Sequence, residues 1–429
     1  MRAFVTFLLS LELLLQGVAV SGRAYGFCRL DMKDGLSQNT VNVILQDRKG
    51  FMWFGTRDGL NRYDGKSFKI FSNDASAGNS LKNAFITALY EDRDENLWIG
   101  TDAGICIYYP ELDRFDEFAA RTADGIGIDR TVIKIGEGRN GEILISTADS
   151  RLFSYDVVTG ILNGCDFGGG QCNVRDFALS ECGRLWVSSY GGLWYTDGAL
   201  EEMKRYCTPD GGVPFRHETI SRILLGTRNR LYLASERFGV HELNIVTGDV
   251  RTLCLDKTNS NVFVRDIMWY DDSRMWIGSE SGVYIYDFTD DSCINLTSNP
   301  FDARSLSDNA IYSICKDRSG GVWIGSFFGG INHYFRHSPD FNIYSPTTTE
   351  GTLGGRRIRE LCAQKDKGKI WVGSEDAGLF CFDILSGRSE HFAPSVRFPN
   401  IQGMCIDGND LWVCLLYTSD AADDLIGVD

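Results

Sequence analysis

Trp53-Phe-Gly-Thr-Arg-Asp-Gly-Leu60 returns 45 residues later as Trp98-Ile-Gly-Thr-Asp-Ala-Gly-Ile105. Weaker copies follow at Leu144-Ile-Ser-Thr147, Trp186-Val-Ser-Ser189 and Tyr232-Leu-Ala-Ser235. Strong copies come back at Trp276-Ile-Gly-Ser279, Trp323-Ile-Gly-Ser326 and Trp371-Val-Gly-Ser374, and Trp412-Val413 is a last partial one. The spacings are 45, 46, 42, 46, 44, 47, 48 and 41 residues. A period this constant marks a repeat architecture.

The second unit shows what is repeated. Phe85–Tyr90 is an apolar, β-prone run, and Glu91–Asn96 is a polar turn. Leu97–Thr101 is a second strand, Asp102–Gly104 a tight turn, and Ile105–Tyr109 a third strand. Phe115–Phe118 is a short fourth strand. Four short strands joined by turns make one antiparallel blade, so the chain is expected to be all-β, a β-propeller. Helical repeats of similar length need a 3.6-residue period that these runs lack. WD40 blades carry a Trp-Asp pair absent here. The Asp-x-x-Gly-x-x-Trp turn is one residue longer than the Asp box of sialidases, and no arginine triad can be assigned.

The fixed residues read as scaffold. Asp47 and Gly50 before Trp53 recur as Asp317 and Gly320 before Trp323, a turn in which Asp bonds nearby amides and Gly takes positive φ. Gly55, Gly100, Gly278, Gly325 and Gly373 lie inside a strand, where Gly marks close backbone approach. The repeated Trp is read as a packing residue between blades. Leu36, Leu81 and Leu306 each stand 17 residues before their Trp, so the unit extends well upstream.

The bulk of the chain agrees. Of its 429 residues 43% are hydrophobic and 12% aromatic, with 47 Gly and only 8 Pro, as expected for a packed chain rich in tight turns. The net charge of −15 disfavours sequence-independent nucleic-acid binding and docking on anionic lipid. Residues 1–24, with Arg2, the apolar Phe4–Leu15 and small residues at Ala19, Ser21, Gly22 and Ala24, read as a secretory signal. The 13 Cys form no C-x-x-C pair and have no His at metal spacing. Cys106, Cys315 and Cys381 replace apolar strand residues, and a Cys165 to Cys172 disulfide is conceivable in an oxidising compartment.

Gly35-Leu-Ser-Gln-Asn-Thr-Val41, followed by Gln46–Asp64, closely resembles the two-component regulator propeller repeat of hybrid histidine kinases in gut Bacteroidetes. The resemblance covers residues 27–414. It implies one seven-bladed propeller over 27–340 and the first blades of a truncated second over 341–414. It implies a periplasmic sensor region that detects glycan-derived oligosaccharides and forms a homodimer in the full-length protein. The kinase and the membrane helix would lie downstream, so membrane contact is expected only through that missing helix, and no cofactor is expected. Residues 415–429 break the repeat and resemble a translated sequencing adapter, so they are expected to be non-native.

Chemistry is sparse. His217, His241, His333, His337 and His391 have no carboxylate or Cys near them at metal spacing, and Asp271-Asp272 and Asp290-Asp291 fall in turns. No catalytic or metal set is assigned. The turn after each Thr/Ser varies most, and loops on rigid scaffolds carry function. Arg57, Asp58, Tyr190, Arg237, Phe238, Phe327 and Phe328 are therefore the candidate ligand-binding residues, aromatics to stack on sugar rings and Arg to grip carboxylate or sulfate. A packing or interface role is the alternative for them. For the whole chain the alternatives are a propeller lyase or glycosidase acting on polysaccharide, and a propeller that binds only protein.

Overall fold

The computed structural model describes residues 25–74, 79–166, 174–258, 261–300, 302–336, 353–355, 357–386, 388–392 and 400–415. The signal reading of residues 1–24, Cys172, His337 and the tail from residue 416 lie outside them. The chain divides into two compact units, the first ending at His337 and the second holding Ser338 onward.

Among the described residues, the first unit holds seven four-stranded antiparallel sheets. Blade 1 comprises Val41–Gln46, Met52–Thr56, Leu60–Tyr63 and Phe68–Phe71, paired in that order. Blades 2 to 6 repeat the pattern, with first strands Ile86–Glu91, Val132–Glu137, Val174–Leu179, Ile220–Leu225 and Val264–Trp269. Each first strand lies against the first strand of the next blade, and that of blade 7, Ile311–Lys316, lies against Val41–Gln46. The first strands thus form the inner ring of a closed propeller.

Closure uses both ends of the unit. Blade 7 draws Ile311–Lys316, Val322–Ser326 and Ile331–Tyr334 from its C-terminal end, and Phe27–Leu30 supplies the fourth strand. Phe27 pairs with Tyr334 and Leu30 with Ile331. The Phe27 amide donates to the Arg304 carbonyl at 2.8 Å, and Arg29 Nε donates to the Ser305 carbonyl at 3.0 Å.

The conserved-looking core of the repeat is packing machinery. Trp53, Trp98, Trp186 and Trp276 are buried in clusters that join one blade to the next. The turn Asp does more than hold its turn. Asp47 Oδ2 accepts the Trp53 indole N–H at 2.7 Å while Oδ1 accepts the Phe51 amide at 2.9 Å. The same pair recurs as Asp92 with Trp98 and Asp317 with Trp323, both at 2.9 Å. A buried indole N–H needs an acceptor, and this one is charged and fixed by backbone. The strand glycines have a definite neighbour. A Cβ on Gly55 would sit 2.6 Å from Cγ2 of Ile86, the first residue of the next inner strand. A Cβ on Gly325 would sit 2.8 Å from Val41 Cγ1, which closes the ring.

Blade 7 also carries a pH-dependent contact. His333 stacks on Trp323 with ring centroids 3.7 Å apart, and its Nε2 lies 3.3 Å from Asp317 Oδ2. Burial lowers the His333 pKa from 6.5, although Asp317 pulls the other way. Burial also works against the Asp317 charge, but bonds from Ser319, Trp323 and the Gly321 amide hold its carboxyl below the usual value of 3.8. In both cases the unfolded chain binds the proton more readily, so stability falls on acidification. The His333 contribution is whole above pH about 6.5 and is lost as pH falls through the lower folded pKa; the Asp317 contribution follows at more acidic pH. Urea midpoints should therefore fall from pH 7 to pH 5, and by less in His333→Gln. An equal fall in both proteins would contradict this.

The second unit repeats the pattern with one four-stranded sheet, Ile358–Gln364, Lys369–Ser374, Leu379–Asp383 and Ser389–Phe392. A two-stranded sheet follows, Ile401–Asp407 with Asp410–Leu415, whose last residue is the first of the stretch read as tail. A Cβ on Gly373 would meet Ile401 at 2.5 Å, the same approach seen between the blades of the first unit.

Among the cysteines, Cys106 is buried in the third strand of blade 2, where burial pushes its thiol up to about 11. Burial pushes Cys315 up to about 12.

Candidate functional site

In each blade the turn from second to third strand lies at the end where the first strand begins, so these turns crowd one face of the ring. A hydroxyl shapes each turn. Thr56 Oγ1 donates to the Gly59 carbonyl at 2.9 Å and accepts the Asp58 amide at 3.1 Å. Thr101 and Ser279 repeat the arrangement. The two intervening residues, Arg57 and Asp58 in blade 1, are left exposed.

The candidate residues fall into two groups across the ring. Arg57 of blade 1 stacks over Phe327 of blade 7 at 4.7 Å and reaches the Phe85 ring, just before blade 2, at 5.7 Å. Phe327 and Phe328 lie edge to face, with centroids 4.2 Å apart. Phe328 is 72% exposed, and its amide donates to Asp308 at 2.9 Å. The structure thus brings Arg57, Phe327 and Phe328 together, with Asp58 beside them in the turn.

The second group belongs to blades 4 and 5. Tyr190 is 48% exposed and bridges to Thr219. Arg237 stacks over its neighbour Phe238 at 5.1 Å, and both amides donate to the Ser235 hydroxyl. Glu236, in the same turn, pairs with Arg175 of blade 4 at 3.5 Å.

The arc around Arg57 has members that the turn pattern missed. Tyr312 lies 5.1 Å from Phe327, ring to ring, and Arg265 stacks over Tyr312 at 4.2 Å and over Phe263 at 4.9 Å. Phe263, Arg265, Tyr312, Phe327, Arg57 and Phe85 thus form a continuous arc of aromatic and cationic faces from blade 6 to blade 2. Arg265 and Tyr312 occupy the second position of the inner strand. That position holds Asn42, Thr87, Ile133, Arg175, Ser221, Arg265 and Tyr312 around the ring, a variability that aligning the repeats on the preceding β-branched residue would expose.

One position deeper, the inner strands of blades 3 to 6 carry Lys134, Asp176, Arg222 and Asp266. Lys134 pairs with Asp176, and Arg222 Nε bonds Asp266 at 3.1 Å. Burial works against the Arg222 charge, but Asp266 and Asp176 offset it and raise its pKa. Asp176 also accepts the Ile223 amide at 2.6 Å, and Asp266 accepts the Ile314 amide at 2.9 Å. The ladder is internally neutral and ties each blade to the next. Each of its carboxylates accepts from a cationic side chain and a backbone amide.

Two histidines that stand alone in the sequence find carboxylates in the fold. His333 meets Asp317, and His241 Nε2 lies 2.9 Å from Glu218 Oε2. His241 Nδ1 meets Thr252 Oγ1, its cross-strand partner, at 2.8 Å. Both partners come from other strands or loops, 16 and 23 residues away, so local spacing could not reveal them.

Three stretches of the chain, residues 35–58, 80–103 and 305–328, match the family model of the two component regulator propeller. Three of its repeats are similar to those of that family. Each matched stretch spans the buried Leu, the inner strand, the Trp-bearing strand and the turn after it, so the repeat includes scaffold and candidate loop together. The chain is also similar to "Histidine kinase P4" of Formosa agariphila, 26% identical over 494 residues, covering 80% of this chain and 36% of that one. It thus spans about a third of that relative's length. Among solved structures, an extracellular domain assigned to a hybrid two component system of B. thetaiotaomicron aligns with a TM-score of 0.68. Identity there is 22%, over 91% of this chain and 52% of that one. Virginiamycin B lyase from Staphylococcus aureus aligns with a TM-score of 0.54 at 12% identity, over 72% of this chain and 98% of that one. These structural likenesses are likenesses of fold.

Proposed function

We propose that this regulator propeller is the extracytoplasmic, ligand-sensing region of a hybrid two-component sensor histidine kinase, and that it binds oligosaccharides released from glycans on its loop face. The observation that carries the reading is the arc of aromatic and arginine side chains there, set on repeats of the regulator family. The kinase relative supports the sensor reading, and the B. thetaiotaomicron domains, named as extracellular, support a periplasmic location for it. Rigid blades with short, variable turns suit ligand recognition, and stacking on exposed rings suits sugars. In the full-length sensor, a homodimer would pass ligand binding on as a change of conformation to a kinase beyond the membrane. The region itself has no catalytic role in this reading: the charges at its centre neutralise one another. The competing reading, a lyase or glycosidase, shares the fold of virginiamycin B lyase.

A glycan array probed with the purified chain tests the proposal. Saccharide binding is expected, about tenfold weaker in Phe328→Ala or Tyr190→Ala, as the loss of one stacking contact implies. An array without saccharide binding would overturn the reading. Cleavage products from a bound polysaccharide would favour the enzyme.

A further inference from the structure

Arg57 differs from most arginines built into the propeller's walls. In the cleft of about 400 Å³ between blades 5 and 6, Arg230 and Arg251 hold Glu242 at 2.8 and 3.2 Å, and Arg251 also holds Asp291 at 3.0 Å. On the loop face itself, Arg265 is paired with Glu280, and Arg175 with Glu236. Arg57 has no hydrogen bond or ion pair among the described residues, and its guanidinium is held only by the Phe327 and Phe85 rings. A stacked guanidinium is oriented by its rings while the N–H groups along its edge stay free. In a chain of net charge −15, an oriented, unpaired fork beside an exposed Phe328 is suited to a negative group carried on an apolar ring face.

We propose that Arg57 is the anion-recognition point of the loop face, and that the ligand class is an acidic saccharide bearing a carboxylate or sulfate. The sugar ring would stack on Phe328 and its anionic group would take the free edge of Arg57 in bidentate fashion. Phe85 and Phe327 act as positioning residues, since they fix the plane of the guanidinium. The inference rests on the saccharide reading above and narrows it.

The test is calorimetric titration of the purified chain with matched pairs: a uronate oligosaccharide against its carboxyl-reduced form, and a sulfated oligosaccharide against its desulfated form. The acidic member of at least one pair should bind about tenfold or more tightly than its neutral counterpart, as a charge-assisted hydrogen bond implies. That preference should shrink at high salt and disappear in Arg57→Gln. Arg57→Lys, which keeps the charge and loses the fork, should fall between. Equal binding of acidic and neutral sugars, or an acidic preference that survives Arg57→Gln, overturns the assignment and leaves the saccharide reading standing. Failure of every saccharide to bind removes both.

Discussion

A chain that starts at Asp31, without its closing strand, should unfold far more easily than one that retains Tyr25–Leu30. The strand contributes more than backbone pairing. Phe27 is 5% exposed, and Tyr25 packs its ring 5.7 Å from Trp276 and 5.4 Å from Tyr334. Burial of one such side chain is worth about 1.5–3 kcal/mol. Each hydrogen bond to Tyr334, Arg304 or Ser305, and that of the Arg29 guanidinium to the Leu306 carbonyl at 3.1 Å, adds about 1 kcal/mol net. Together they amount to about 5 kcal/mol or more, a large share of the roughly 5–15 kcal/mol that holds a domain folded. The loss also falls where the ring closes, because among the described residues blade 7 is the one blade built from both ends of its unit. Tryptophan fluorescence in a urea series should show a lowered midpoint for the shortened chain. An unchanged midpoint would mean that blade 7 is complete with three strands and that Phe27–Leu30 is ornamental to closure.

The blades were legible in the sequence because each fixed residue answers a local need. The strands of the second repeat, read from alternation and turns, lie within a residue of the observed Ile86–Glu91, Leu97–Thr101, Gly104–Tyr109 and Arg114–Glu117. Close approach at the strand glycines was legible too, since only a missing Cβ leaves room for Ile86 beside Gly55. The strand that closes blade 7 was not, because Phe27–Leu30 pairs with residues about 300 positions away and carries no copy of the motif. The indole bond of the turn Asp escaped for a related reason. The Asp already had a local use in the turn, and its second use shows only when Trp53 folds back over it.

The candidate site was half legible. Variability after the Thr/Ser pointed to Arg57, Phe327 and Phe328, which do assemble, because blades 7 and 1 adjoin in the closed ring. It equally pointed to Tyr190, Arg237 and Phe238, which stand across the ring with blades 4 and 5. Sequence order could not tell these groups apart without knowing that residue 327 neighbours residue 57. Arg265 and Tyr312 were hidden inside strands, where variability looks like tolerance of substitution. Their role appears only because the inner strands begin at the loop face, which places each second position beside the turns. The ladder from Lys134 to Asp266 was hidden in the same way, one residue further along.

Trp53→Ala should be among the most damaging single substitutions in the chain, while Trp412→Ala, at the same place in the motif, should be nearly silent. Trp53 is 2% exposed, lies against Phe71 at 5.7 Å with near-parallel rings, and touches Tyr108 at 5.7 Å. Truncating a buried Trp costs about 3–5 kcal/mol through lost burial and the cavity left behind. The variant also strips buried Asp47 of a charge-assisted bond, which adds about 1–3 kcal/mol if nothing replaces it. Trp53→Phe separates the two costs, since it keeps most of the ring contact and loses only the indole N–H; it should fall well short of the alanine variant. Trp412 is 66% exposed, so its truncation removes little buried surface and should stay within about 0.5 kcal/mol. The comparison asks whether the motif stabilises by what it is or by where it sits. Chemical denaturation of the three variants beside the parent chain decides it. If Trp53→Ala and Trp412→Ala shifted the midpoint alike, the motif would be acting within its own hairpin, and packing between successive blades would not be what holds the ring.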